Sequence, residues 1–178
     1  LHHLGVIHLQ KGKLDEAVGF LERSLVKQPN QSAAYNHMAI ALAGLRRYEL
    51  SLASFTKALA LKPDYAEAHN NMGAVLRTVG RNEEALVHYV QALALKPDYV
   101  DAHFNCAVIL QLVNRHAEAL PHFGRVLADR PDHVEAHFHL GVSLTALNRK
   151  PEAVAHFQKA MEFRPDTAAE ARQAVGAE

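Results

Sequence analysis

The residues of this chain with the most chemistry to offer are its thirteen histidines, six of which obey a strict spacing. His69, His103 and His137 lie 34 residues apart, and so do His88, His122 and His156. Imidazole ligates metals and changes charge near neutral pH, so the columns read either as a metal or proton-sensing ladder or as packing residues copied with their surroundings. Members of one column are a whole repeat apart, about 10 Å between packed helix pairs, whereas two ligands of one zinc each lie about 2 Å from it. The columns therefore read as packing residues. The densest local cluster, His133-Val-Glu-Ala-His137-Phe-His139, sets two histidines one helical turn apart but lacks the His-Glu-x-x-His order of zinc proteases. No metal and no cofactor is expected.

Other candidates for chemistry are thinner. Cys106 is the sole cysteine, which excludes an internal disulfide, and it shares a core column with Leu and Met as a small buried hydrophobe. Ser24, Ser32, Ser51, Ser54 and Ser143 lack a nucleophile-elbow context, no Gly-rich loop cradles a phosphate, and the carboxylates fall at helix starts or on solvated faces. The chain is not expected to be an enzyme. Nineteen basic residues balance nineteen acidic ones without a basic tract, which argues against nucleic acid and anionic membrane as partners. The apolar stretches are far shorter than the roughly 20 residues that span a bilayer. With no secretory signal visible, a cytoplasmic location is expected.

The elements that position these side chains are announced by proline. Pro29, Pro63, Pro97, Pro131 and Pro165 recur every 34 residues within similar surroundings, such as Ala60-Leu-Lys-Pro-Asp64 and Ala94-Leu-Lys-Pro-Asp98. Between prolines the apolar residues fall at steps of three and four, as in Ala85, Leu86, Tyr89, Ala92 and Leu93, so each unit holds two amphipathic helices. In the third unit they are expected from about Tyr65 to Val79 and from about Asn82 to Leu95. Gly80 between them suits a left-handed residue that ends a helix. Gly12, Asn114 and Asn148 hold the same place, and Arg46 is the exception. The acidic or amide residue after each proline is expected to cap the next helix, with reciprocal carboxylates in Asp64 to Glu67 and Asp132 to Glu135. The unit is thus a helical hairpin, and a repeat of this length implies an array held together by nearest-neighbour contacts.

These columns resemble the tetratricopeptide repeat over essentially the full chain. The small residue opening the second helix is Ala17, Ser51, Ala85, Ala119 or Ala153, and four residues on stands Leu21, Phe55, Tyr89, Phe123 or Phe157. The Leu-Gly pair of the first helix is kept as Leu4-Gly5 and Leu140-Gly141 and varied to Met38-Ala39, Met72-Gly73 and Cys106-Ala107. The family's Trp is replaced by Leu1, Tyr35, His69, His103 and His137. The resemblance implies an all-α, right-handed superhelical solenoid of antiparallel helix hairpins, forming a single array. Its five units are 1–31 (partial), 32–65, 66–99, 100–133 and 134–167, and 168–178 is expected to form a capping helix, within a run from Thr167 to Val175. The first unit begins at its fourth residue, so the chain reads as a segment of a longer protein.

In proteins with this repeat the first helix of each hairpin lines a concave groove, which implies a protein or peptide partner here. Carried over by position, His2, Asn36, Asn70, Phe104 and Phe138 form one groove column, with Val108 among the residues one turn on. His3, His37, Asn71, Asn105 and His139 form a parallel one, and Arg77 and Gln111 belong to the same face. The second column consists of hydrogen-bonding side chains. It reads either as a ladder that holds the backbone of an extended peptide or as bonds between neighbouring helices. Phe104 and Phe138 read either as a pocket for a partner's large side chain or as packing against the next repeat. Arg77 is the one inward basic residue, opposed by Glu67, Asp101 and Glu135, which disfavours a clamp for carboxylate tails. Lys13, Arg47, Arg81, Arg115 and Arg149 form a basic row after the hairpin turns that reads as solvated or paired with Glu. Units such as Ala66-Glu-Ala-His-Asn-Asn-Met-Gly73 are also similar to the superhelical arm of O-linked N-acetylglucosamine transferases. The resemblance thus implies a non-enzymatic scaffold or, alternatively, the substrate-recognition arm of a larger glycosyltransferase. Homo-oligomerisation through the array ends stays open.

Overall fold

The reversal of the chain within each hairpin depends on one backbone residue. In the computed structural model, which describes residues 1–164 and Gln173, Gly12, Gly80, Asn114 and Asn148 take positive φ of 71°, 79°, 60° and 59°. At Gly80 the turn is closed by two bonds, from its own amide to the Arg77 carbonyl at 3.0 Å and from Arg81 N–H to the Leu76 carbonyl at 2.9 Å. Glycine meets no Cβ penalty in this conformation, and asparagine meets a reduced one. Arg46 adopts it as well, at φ 58°.

Around these turns the described residues form ten helices and no strand, in two compact units that divide after Pro97. The first unit holds α1 (His2–Gln10), α2 (Leu14–Lys27), α3 (Ser32–Gly44), α4 (Tyr48–Leu61), α5 (Ala66–Thr78) and α6 (Asn82–Leu95). The second holds α7 (Val100–Leu112), α8 (His116–Asp129), α9 (Val134–Ala146) and α10 (Lys150–Phe163). Odd-numbered helices open the hairpins and even-numbered ones close them. In the first unit α3 packs against α2 and α4 and touches α1 and α5; in the second α9 packs against α8 and α10 and touches α7. Apart from Gln173, the capping helix expected over 168–178 lies outside the described residues.

The core of each hairpin is the column identified from sequence. Leu21, Phe55, Tyr89 and Phe123 are fully buried and Phe157 nearly so, each set beside a fully buried Ala17, Ser51, Ala85, Ala119 or Ala153. Burying a side chain of this size contributes about 1.5–3 kcal/mol. The small residue on the opening helix lets it come close. A Cβ on Gly73 would stand 2.8 Å from the Tyr89 ring, and one on Gly141 would stand 2.8 Å from the Phe157 ring. Ser51 belongs in this apolar column because its hydroxyl donates to the Ala39 carbonyl at 2.7 Å.

Helix starts depart from expectation. The N-cap residues of α3, α5, α7 and α9 are Gln31, Tyr65, Tyr99 and His133, so Asp64 and Asp132 stand one position too early to cap. Of these four only His133 caps through its side chain, Nδ1 accepting from the Ala136 amide at 3.2 Å. The post-proline turn consumes one residue more than the spacing suggested, and the partner carboxylates are engaged elsewhere. Glu67 pairs with Lys96 at 3.7 Å, Asp101 with Arg130 at 3.1 Å, and Glu135 with Arg164. Each pair joins the opening helix to the residue just before the next proline, 29 positions on.

Candidate partner-binding face

In the first unit the residues expected to line a groove divide between bracing and exposure. His2 Nε2 on α1 and His37 Nδ1 on α3 lie 3.0 Å apart. Burial first, and then the facing His2, hold the His37 imidazole below its usual range. Asn36 and Asn70 are nearly closed to solvent, at 3% and 6% exposure. Asn36 accepts from the Asn71 carboxamide at 3.4 Å. Asn36 is therefore part of the α3–α5 contact. His3 is exposed and stacks on His2 at 5.9 Å. Asn71 is half-buried, with its carbonyl oxygen unpartnered among the described residues. Arg77, one helical turn and a half further along α5, is half-buried with no ion pair among the described residues.

In the second unit the corresponding face is aromatic. Phe104 on α7 stacks on His133 at 5.0 Å and meets His139 edge-on at 6.0 Å. Phe138 on α9 packs edge-on against Phe157 at 5.5 Å and against His139 at 6.0 Å. Both phenylalanines keep part of their surface open, whereas Val108 is buried and Asn105 is half-buried. Gln111 fixes the histidine between them: its carbonyl faces His139 Nδ1 at 2.7 Å, so that nitrogen carries the hydrogen. Its amide donates to the His139 carbonyl at 3.1 Å and to the Ser143 hydroxyl at 3.2 Å. The rings are held in place by packing and hydrogen bonds before any partner arrives.

The histidine columns turn out to be halves of pairs. His69 Nδ1 faces His88 Nδ1 at 3.0 Å, His103 faces His122 at 2.8 Å, and His137 faces His156 at 2.9 Å. Nε2 of His69 lies 3.0 Å from the Pro63 carbonyl, and Nε2 of His137 lies 2.9 Å from that of Pro131. A carbonyl only accepts, so these Nε2 atoms carry the hydrogen, their Nδ1 atoms accept, and His88 and His156 must donate. The same tautomer leaves His122 Nε2 to accept weakly from the Cys106 thiol, 3.8 Å away. Burial, then the facing histidine, holds His88, His122 and His156 below the usual imidazole range. A tetrahedral zinc at about 2.0 Å from two such nitrogens would set them about 3.3 Å apart, wider than these gaps. Among the described residues no group of three or more His, Cys, Asp or Glu is placed to hold a metal ion. Sequence reasoning compared histidines only within a column, although the constant offset of 19 residues between columns was there to be seen.

The basic row is engaged as well. Arg81, Arg115 and Arg149 grip Glu84, Glu118 and Glu152 through two bonds each, at 2.6–2.7 Å. The guanidinium hydrogen bonds hold these carboxyls below their usual range. Being exposed, such pairs stabilise the fold little. Among the described residues no helix is long and apolar enough to cross a membrane.

Comparison with known proteins agrees with the fold of helical hairpins. Family models described as tetratricopeptide or TPR repeats match residues 1–33, 47–80, 75–113 and 113–174. No curated protein matches the chain. Among solved structures, one of MamA is 21% identical, covering 93% of this chain and 96% of its own, with a TM-score of 0.83. A MamA fragment from Desulfovibrio magneticus RS-1 is 23% identical, with coverage of 93% and 94% and a TM-score of 0.83. YrrB, described as a TPR protein with an unusual peptide-binding site, is 22% identical, with coverage of 97% of this chain and 89% of its own and a TM-score of 0.84.

Proposed function

We propose, from the premise that this chain belongs to the tetratricopeptide-repeat family, that it is a non-catalytic scaffold binding extended peptide segments of partner proteins on the faces of its hairpin-opening helices. One observation carries the reading. On α5 a half-buried guanidinium without an ion pair, Arg77, accompanies an open carboxamide oxygen on Asn71. A polar group that is half-withdrawn from water and unpaired has more to gain from a ligand than a fully solvated one. Asn71 can accept from a peptide N–H, and Arg77 can take a peptide carbonyl or carboxylate. On the second unit's face, Phe104 and Phe138 around the clasped His139 offer a preorganised apolar surface for one large side chain.

The test is affinity capture with wild-type and Asn71→Ala/Arg77→Ala baits, the retained proteins being identified by mass spectrometry. Partners held by the wild type and lost by the double variant are the expected result. Equal retention by both baits contradicts the proposal. The Asn71 carboxamide also suits a second reading, in which this array is the substrate-recognition arm of a larger glycosyltransferase. A catalytic domain in the same full-length gene is the observation that would establish it.

A further inference from the structure

The hairpin α3–α4 breaks the pattern of its neighbours at three positions that lie together. Where Glu16, Glu84, Glu118 and Glu152 stand in the other closing helices, α4 has Leu50. Where the three later hairpins have paired histidines, this one has Tyr35 and Ser54. The consequences are visible. Arg47, with Leu50 instead of a glutamate three positions on, reaches back to Asp15 at 3.2 Å. Leu50 is 57% exposed, and Val26, in a column that is otherwise Ala60, Ala94, Ala128 and Glu162, is 84% exposed. The space that a histidine pair fills elsewhere is an open cleft here, made of two adjoining cavities of about 200 and 470 Å³ that share Glu22 and Met38.

The floor of the cleft is one stripe of α3, Tyr35, Met38 and Leu42, and its walls are Leu25 and Val26 on α2 and Leu50 and Ala53 on α4. An extended peptide would find only the side chains of Glu22, Lys57 and Tyr35 here to satisfy a continuous run of amides. The lining comes wholly from helices, whose backbone groups are already paired, and the Ser54 hydroxyl is spent on the Leu50 carbonyl at 2.8 Å. A helix brings its own backbone bonds. The α3 stripe runs from Tyr35 to Leu42, seven steps or about 10 Å at 1.5 Å per residue, which is the reach of helical anchors at i, i+3 or i+4 and i+7. Charge sets the orientation: Glu22 stands on the α2 wall and Lys57 on the α4 wall, its ammonium 5.6 Å over the Tyr35 ring.

We propose that this cleft is a second docking site, for an amphipathic helix of a partner protein. The helix presents aliphatic side chains at i, i+3 or i+4 and i+7, a basic residue opposite Glu22 and an acidic one opposite Lys57. The site is separate from the peptide-binding face, and its test does not depend on that reading.

The experiment is display selection of a library of helix-forming peptides against the wild-type chain, with counter-selection on Leu50→Glu, followed by fluorescence anisotropy of the recovered clones. Leu50→Glu restores the residue that four other hairpins carry, so the fold is retained, as circular dichroism will show. The expected clones share the aliphatic spacing. They bind Leu50→Glu and the cleft-filling Tyr35→His/Ser54→His variant at least tenfold more weakly, and Asn71→Ala/Arg77→Ala unchanged. The proposal is overturned if no clone discriminates the wild type from Leu50→Glu, or if the discriminating clones are proline-rich extended segments. It is equally overturned if the wild type alone self-associates in sedimentation and Leu50→Glu abolishes this, since the occupant is then a second copy of the chain.

Discussion

Acid should loosen this fold through its histidine pairs, and replacing the donor of each pair by glutamine should remove much of that effect. In His88→Gln/His122→Gln/His156→Gln the carboxamide can still donate to Nδ1 of His69, His103 and His137, but it does not titrate. Each wild-type pair is joined by one hydrogen across 2.8–3.0 Å. A first added proton can be shared, whereas a second sets two cations nitrogen to nitrogen. Around the pairs stand Glu84 beside His88, Glu118 beside His122, Glu152 and Lys159 beside His156, and His133, Lys159 and Glu162 beside His137. Burial is the leading cause that lowers His88, His122, His137 and His156. The folded state thus binds protons less readily than the unfolded chain. Its stability contribution is complete above about pH 6.5 and fades as pH falls through the folded values. A hydrogen bond is worth about 0.5–1.5 kcal/mol net, and the three pairs sit in separate hairpins, so together they represent about 1.5–4.5 kcal/mol. Urea midpoints followed by circular dichroism at about pH 7.5 and about pH 4.5, either side of the imidazole range, measure the difference. The triple variant should lose less than half as much on acidification as the wild type. An equal acid loss in both, or a loss on the alkaline side, refutes the reasoning.

Phe123→Ala should cost about 3–5 kcal/mol, because the ring is fully buried and stacked on His139 at 6.0 Å; urea titration checks this. Arg46→Asn should raise stability by up to about 1 kcal/mol, since asparagine tolerates the left-handed φ of 58° that a long side chain resists, and the shift is read in the same titration. Cys106 should resist thiol reagents at neutral pH until the chain unfolds, burial having pushed its pKa up to about 11; labelling rates with and without denaturant decide. Arg81→Ala should leave the urea midpoint essentially unchanged, because the Arg81–Glu84 pair is solvent-exposed.

The parts of the fold that were legible in the sequence are those fixed locally. The left-handed Gly and Asn column and the Ala and Phe columns each act within one hairpin, the prolines act in the short links between hairpins, and α6 runs over the range its apolar spacing indicates, Asn82–Leu95. Capping was misjudged at Asp64 and Asp132 because a turn's length is set by how two helices pack, which composition does not reveal. The histidine pairs join residues on different helices, so reading along a single column could not find them. Asn36 and Asn70 carry groove-like chemistry at positions that packing closes to solvent. The cleft over α3 was legible in principle. Leu50 and Ser54 break columns kept by the other hairpins, and a break in an internal pattern is a signal that needs no structure.

The most direct test of the peptide-binding account is calorimetric titration of a captured partner's peptide into the wild type and into Asn71→Ala/Arg77→Ala. Two hydrogen bonds lost at about 0.5–1.5 kcal/mol each predict a roughly tenfold fall in affinity, with helicity and the response to chelator unchanged and only a small fall in melting temperature from the lost Asn71–Asn36 bond. Undiminished affinity in the double variant contradicts the account, and so does loss of binding when metal is chelated.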